Sequence, residues 1–178
     1  MILRARAFLL LLAASLLAGG CTSIDPGTYA RQAPALELRR YFDGTIDGWG
    51  MVQDRSGKVL RRFTVTIEAR WNGDVGTLDE RFVWSDGERQ RRVWTVRDLG
   101  DGRYAGSAED VVGSAAGRTA GNALNWRYTM AIPLDGRTWH IDFDDWMFLV
   151  DDRVMLNRAT MQKFGIRVGE VTLSFTRR

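Results

Sequence analysis

Several stretches of this chain alternate apolar and polar residues with a period of two. Phe63, Val65, Ile67, Ala69 and Trp71 alternate with Arg62, Thr64, Thr66, Glu68 and Arg70, and Leu124, Trp126, Tyr128, Met130 and Ile132 alternate with Asn125, Arg127, Thr129 and Ala131. Trp139–Asp144 and Val171–Thr176 repeat the pattern. Successive side chains of a strand point to opposite faces, so this period predicts antiparallel strands with one apolar and one polar face. Turn-forming sequences separate the runs: Asp54-Arg55-Ser56-Gly57, Asn72-Gly73, Ser85-Asp86-Gly87, Gly100-Asp101-Gly102 and Asp135-Gly136. Less regular strands are predicted near 44–53, 75–84, 91–99, 103–112 and 153–161, giving about eight to ten in all. A meander of so many short strands must hide its edges. Closure into an all-β, antiparallel up-and-down barrel does this directly, and a β-sandwich is the alternative. Gly113–Gly121 reads as a long loop or a strand broken by bulges, and Met155–Phe164 as holding a helical turn that ends at Gly165.

The chain divides into residues 1–20, 21–40 and 41–178. Arg4 and Arg6 precede an apolar run from Ala7 to Ala18 that ends in Leu17-Ala18-Gly19-Gly20-Cys21. Twelve residues are too few to span a hydrocarbon core, which needs about 20. A basic start, a short apolar stretch and small residues before a cut site describe a secretory signal. With Cys21 directly after the small residues, the segment resembles the lipobox of bacterial lipoproteins. That resemblance implies cleavage before Cys21 and acylation there, although Ala18 stands where the lipobox usually has leucine. Thr22 follows in place of the aspartate associated with inner-membrane retention. The resemblance therefore implies an outer-membrane anchor facing the periplasm, with the inner membrane as the alternative. Pro26, Gly27 and Pro34 punctuate residues 22–40, which read as a tether with a reach on the order of 25 Å. A short helix or first strand fits within Ala35–Phe42.

Charge changes once residues 1–20 are set aside. The whole chain has 25 basic and 22 acidic residues; without Arg4 and Arg6 the balance is 23 against 22, or +1 over 158 residues. There is no basic stripe and no nucleic-acid recognition motif, which argues against a nucleic-acid partner. Cys21 is the only cysteine, so the domain has no intramolecular disulfide and relies on burial and its strand ladder.

Phe42-Asp43-Gly44, Gly48-Trp49-Gly50, Arg61-Arg62-Phe63, Asp86-Gly87-Glu88, Arg92-Val93-Trp94, Asp144-Asp145-Trp146, Asn157 and the run Lys163–Gly169 carry a family resemblance. Over Leu36–Thr176 the chain resembles the bacterial lipoprotein family catalogued as domain of unknown function 3833. The resemblance implies a lipocalin-like (calycin-like) barrel and no established activity. The Gly-x-Trp of lipocalins is not matched, because Asp47 lies two residues before Trp49.

Candidate chemistry is sparse. His140 is the only histidine, and no Gly-x-Ser-x-Gly is present, so nucleophilic catalysis has no marked partner. Asp142, Asp144, Asp145, Asp151 and Asp152 lack the spacing of a calcium loop, and Gly113–Gly117 lacks a following Lys-Ser or Lys-Thr. No metal or other cofactor is implied. Carboxylates inside a barrel are costly unless paired. Glu68, Glu80, Glu109, Asp110 and Asp144 fall inside or beside predicted strands; pointing outward they form a solvated surface, and pointing inward beside Arg70, Arg92 and Arg127 they would line a polar pocket suited to an anionic head group.

Each tryptophan suits core packing. As a set they also suit the wall of a ligand cavity. The leading expectation is a barrel that binds a hydrophobic or amphipathic, lipid-like molecule at a mouth lined by Trp49, Trp94, Trp126 and Tyr128. Arg92, Arg127 or Asp144 would fix its polar end. One alternative is an isomerase or hydrolase acting on a membrane-derived lipid through His140, Asp144 and Asp145; another is a filled barrel with a structural or assembly role.

Overall fold

A computed structural model describes residues 24–178. The proposed signal segment and Cys21 lie outside the described residues. Ten strands follow one another: β1 (Gly44–Asp54), β2 (Val59–Asn72), β3 (Val75–Trp84), β4 (Arg89–Asp98), β5 (Arg103–Ser107), β6 (Val111–Ala120), β7 (Ala123–Leu134), β8 (Arg137–Leu149), β9 (Val154–Lys163) and β10 (Ile166–Arg177). Each pairs antiparallel with its sequence neighbours, and β1 pairs with β10 from Ile46↔Arg177 to Asp54↔Gly169, closing the barrel. Closure leaves no free edge.

The inward face follows the alternation. Ile46 lies opposite Ile67, and Phe63, Val65, Ile67 and Ala69 of β2 are all buried. Leu78 and Phe82 of β3, Trp94 and Val96 of β4, Leu124 and Trp126 of β7, and Met155 of β9 join the same cluster. A smaller one gathers Met130, Ile141, Phe143 and Ala159. Rings fill the space left by glycines. A Cβ on Gly106 or Gly117 would collide with the indole of Trp126, and one on Gly50 with the ring of Phe63.

Three segments bear on the sequence-based expectation: the first meets its bulged-strand alternative, and the other two differ. Gly113–Gly121 is mainly strand: β6 carries a register shift between Val112 and Ala116, where Gly113 takes a φ of +74°. The bulge absorbs the glycine without breaking the sheet. Met155–Phe164 contains no helical turn, because its residues continue β9 to the Phe164-Gly165 turn.

The third is the segment read as a tether, which folds against the barrel, with its helical turn inside Ala35–Phe42, where a short helix is one expectation. Asp25 caps a 3-10 turn (Pro26–Tyr29) through Gly27 N, and a helical turn α1 (Leu38–Tyr41) follows. Leu36, Leu38, Tyr41 and Phe42 are buried in the main cluster. The Leu36 amide donates to Gly121 O at 2.7 Å, Trp71 Nε1 to Phe42 O at 2.7 Å, and Tyr41 Oη to Arg153 O at 3.0 Å. Burying a large apolar side chain is worth about 1.5–3 kcal/mol. Four of them contribute on the order of 6–12 kcal/mol toward ordering the segment against the barrel, and the hydrogen bonds add to this. Residues 24–42 thus cap the barrel end that bears the β2–β3, β4–β5, β6–β7 and β8–β9 turns. The other end carries only short hairpin turns, none long enough to cross it.

Candidate functional site

Between the two apolar clusters the barrel holds a layer of charged and polar side chains. β3 runs Gly76, Leu78, Glu80, Phe82, Trp84 on its inward face, so Glu80 must point inside. The register sets it directly opposite Arg92 of β4, whose inward neighbour is Trp94. Arg92 Nη1 lies 3.6 Å from Glu80 Oε2. The same guanidinium donates to Asp110 from Nε at 3.0 and 2.9 Å and from Nη2 at 2.8 Å. Asp110 arrives from the short β5–β6 connection, and its backbone carbonyl accepts from Ala131 N at 2.8 Å.

Across the lumen Tyr128 Oη donates to Asp145 Oδ2 at 3.1 Å, and Asn157 Nδ2 donates to Asp145 Oδ1 at 3.2 Å. Rings enclose the layer. Trp94 meets Trp126 and Tyr128 edge-on at 5.8 and 5.4 Å, and Tyr128 stacks on Phe143 at 4.9 Å.

Two carboxylates therefore share one guanidinium, and a third, Asp145, lies across the lumen on Tyr128 and Asn157. Burial pushes Glu80 up to about 7: Arg92 pulls the other way, while Asp110 and Asp145 add to the rise. Burial likewise raises Asp145 to about 6, against the bonds from Asn157 and Tyr128. Burial, reinforced by Asp145, holds the Tyr128 phenol well above its ordinary value. For Arg92 burial works against the charge, but Asp110 and Glu80 outweigh it and the guanidinium stays protonated. Near neutral pH, Glu80 is poised between its two forms.

The expected site residues separate by face. Arg92, Trp94, Trp126 and Tyr128 point inward and meet at this layer. Trp49 does not: its neighbours Gly48 and Gly50 face the lumen, so its indole points outward and is 53% exposed. Arg127 and Asp144 also point outward. They pair at 3.1 Å and line a polar hollow of about 500 Å³ on the outer face of β6–β8 with Thr129 and Asp142. His140 is exposed, on the same parity as Asp144, while Asp145 points inside. The three candidate catalytic residues are thus split between the two faces of β8, because adjacent strand residues cannot share one. Nor is Arg92 free for an anionic head group, since Asp110 and Glu80 already occupy it.

Sequence reasoning considered Glu80 and Asp110 only as members of a general set of carboxylates, and assigned Asn157 no role. Strand parity alone would have placed Glu80 and Arg92 inside with Phe82 and Trp94. The approach of Asp110 comes from a loop, which parity does not reach. Among the described residues, no group of three or more metal-ligating side chains is gathered, and no helix is long and apolar enough to cross a membrane.

Ten antiparallel strands closed in sequence order around an aromatic interior define a lipocalin-like barrel. The S-type phycobiliprotein lyase CPES from Guillardia theta has a similar structure: TM-score 0.59 at 6% identity, over 88% of this chain and 98% of that one. A protein of unknown function from the DUF3598 family of Nostoc punctiforme PCC 73102 is similar over 83% of this chain and 51% of that one, with a TM-score of 0.51 and 10% identity. At such identities the likeness is one of fold. Within that class the chain belongs to the family described as "Protein of unknown function (DUF3833)", whose profile matches residues 15–177. No match was found among curated proteins.

Proposed function

We propose that this protein is a lipid-anchored barrel of the bacterial cell envelope that binds an amphipathic small molecule. One observation carries the reading: Glu80, Asp110 and Asp145 outnumber Arg92 inside an otherwise aromatic lumen. That imbalance suits a ligand whose polar end is cationic or rich in hydrogen-bond donors. Such a group would meet Glu80 and Asp145, and the apolar remainder would lie against Trp94, Tyr128, Phe143 and Met130. Aromatic faces add attraction for a cation. The end capped by residues 24–42 is packed with rings, so entry is from the opposite end. The lipobox-like Leu17–Cys21 supports the anchor, and the lipocalin-like fold supports a binding role.

The test is native mass spectrometry of the chain from residue 22, which retains the whole barrel and its cap, purified from its own host. The expected result is a co-purifying basic or donor-rich amphiphile that is lost from the Glu80→Gln, Asp145→Asn double variant. A wild-type protein that emerges empty, both as the chain from residue 22 and as the full-length acylated protein extracted from membranes, would overturn the binding role and leave a filled structural barrel.

A further inference from the structure

The outer face of the barrel is not uniformly polar. The register lines up one lateral row of outward side chains: Val83 beside Thr64, Thr64 beside Trp49, Trp49 beside Ser174, Ser174 beside Leu156, and Leu156 beside Phe148. Trp49 and Leu156 are each at least half exposed. With Met51 in the next row they border an apolar hollow of about 790 Å³, flanked by Arg62 and Arg158. A contiguous apolar surface with a polar border marks an interaction site.

The chain itself indicates what covers this surface. Tyr29 of the 3-10 turn packs edge-on against Trp146 and Phe148, with centroids at 5.8 and 5.0 Å, so the N-terminal segment crosses the end of the row. Asp25 is held to Arg118 at 3.2 Å. Cys21 is four residues before Asp25, and four residues of any conformation reach at most about 14 Å. Strands are about 4.8 Å apart, so Trp49 on β1 lies roughly 14 Å from Phe148 on β8. Acyl chains on Cys21 would therefore be held within about 14 Å of Asp25, on the Phe148 side of the row.

We propose that the outer row around Phe148, Leu156 and Trp49 faces the lipid bilayer, so that the barrel lies on its side against the membrane that holds its anchor. This rests on acylation of Cys21. Tryptophan favours the bilayer interface, where its ring is apolar and its N–H stays wet. Arg62 and Arg158 border the row where anionic headgroups would sit. The far side of the barrel differs: around Val93 the outward residues of β4 are Arg91, Thr95 and Arg97.

The test uses the full-length acylated protein in vesicles of phosphatidylethanolamine and phosphatidylglycerol. A nitroxide is placed at Leu156→Cys, at Trp49→Cys and, as the far-side control, at Val93→Cys; acylation leaves only the introduced thiol reactive. Collision with oxygen should exceed collision with a water-soluble nickel chelate at 156 and 49, and the order should reverse at 93. Protein that floats with the vesicles but shows nickel-accessible labels at all three positions would overturn the orientation and leave the anchor standing. Labels at 156 and 49 shielded from both reagents would mark a protein-covered face and overturn it too. Failure to float would remove the anchor and this inference together.

Discussion

Replacing Glu80 with glutamine should make the protein more stable, and only above acidic pH. In the folded barrel Glu80 titrates near 7, against 4.5 ordinarily. Between those values the native state binds the proton more tightly than the unfolded chain, so stability falls as pH rises through the window. Below about 4.5 both states are protonated and glutamine confers nothing. Above about 7 the native state carries the full cost of a buried carboxylate. At about 1.4 kcal/mol per pH unit, an interval from 4.5 to about 7 amounts to roughly 3 kcal/mol. For a domain of this size that is on the order of 6–12 °C in Tm. Urea unfolding followed by tryptophan fluorescence, at half-unit steps from pH 4.5 to 8.5, reads the difference between variant and wild type. Subtraction cancels the carboxylates remote from Glu80; Asp145, whose own rise acts in the same direction over a lower range, is coupled to Glu80 and adds to the difference. Curves that stay parallel across the series would show that Glu80 titrates normally. A variant less stable at pH 8 would show that its charge is compensated by Arg92.

Arg92→Met should cost about 3–5 kcal/mol at pH 8, because Asp110 and Glu80 lose their shared partner, and less at pH 5, where Glu80 is protonated; urea midpoints at the two pH values check this. Gly117→Ala should lower stability by about 1–3 kcal/mol by pressing a methyl into the Trp126 indole. Calorimetry should show the loss shrinking when Trp126→Phe is added, and an undiminished loss would place the strain elsewhere. Cys21→Ser should leave an unacylated precursor, seen by metabolic labelling with palmitate and by its gel mobility; normally processed, labelled protein would rule out the anchor.

The strands were legible where one face is apolar and the other polar, as in Phe63–Trp71 and Leu124–Ile132. Closure followed from their number. What the pattern concealed has two physical causes. Alternation says which residues share a face but not which face is inside, and near Asp144-Asp145 both faces carry charge. Trp49 misleads for the converse reason: its flanking glycines leave the lumen to Phe63 and Leu173, so the largest side chain in that stretch points outward. A short helix within Ala35–Phe42 was legible, but its role as a cap was not: Leu36, Leu38, Tyr41 and Phe42 follow no strand period, and their burial depends on a barrel end that exists only once the ten strands have closed.

The pairing of β1 with β10 also governs how the chain reaches this structure. Arg177 is opposite Ile46, and the Arg178 amide donates to Thr45 O at 3.0 Å, so the seam joins residues more than a hundred positions apart. No earlier hairpin can substitute for it. β1 can pair with β2 as soon as both have emerged, but its other edge stays open until β10 appears, and contacts of such long sequence separation form slowly. Closure of the barrel is therefore the last of its pairings that an emerging chain can make.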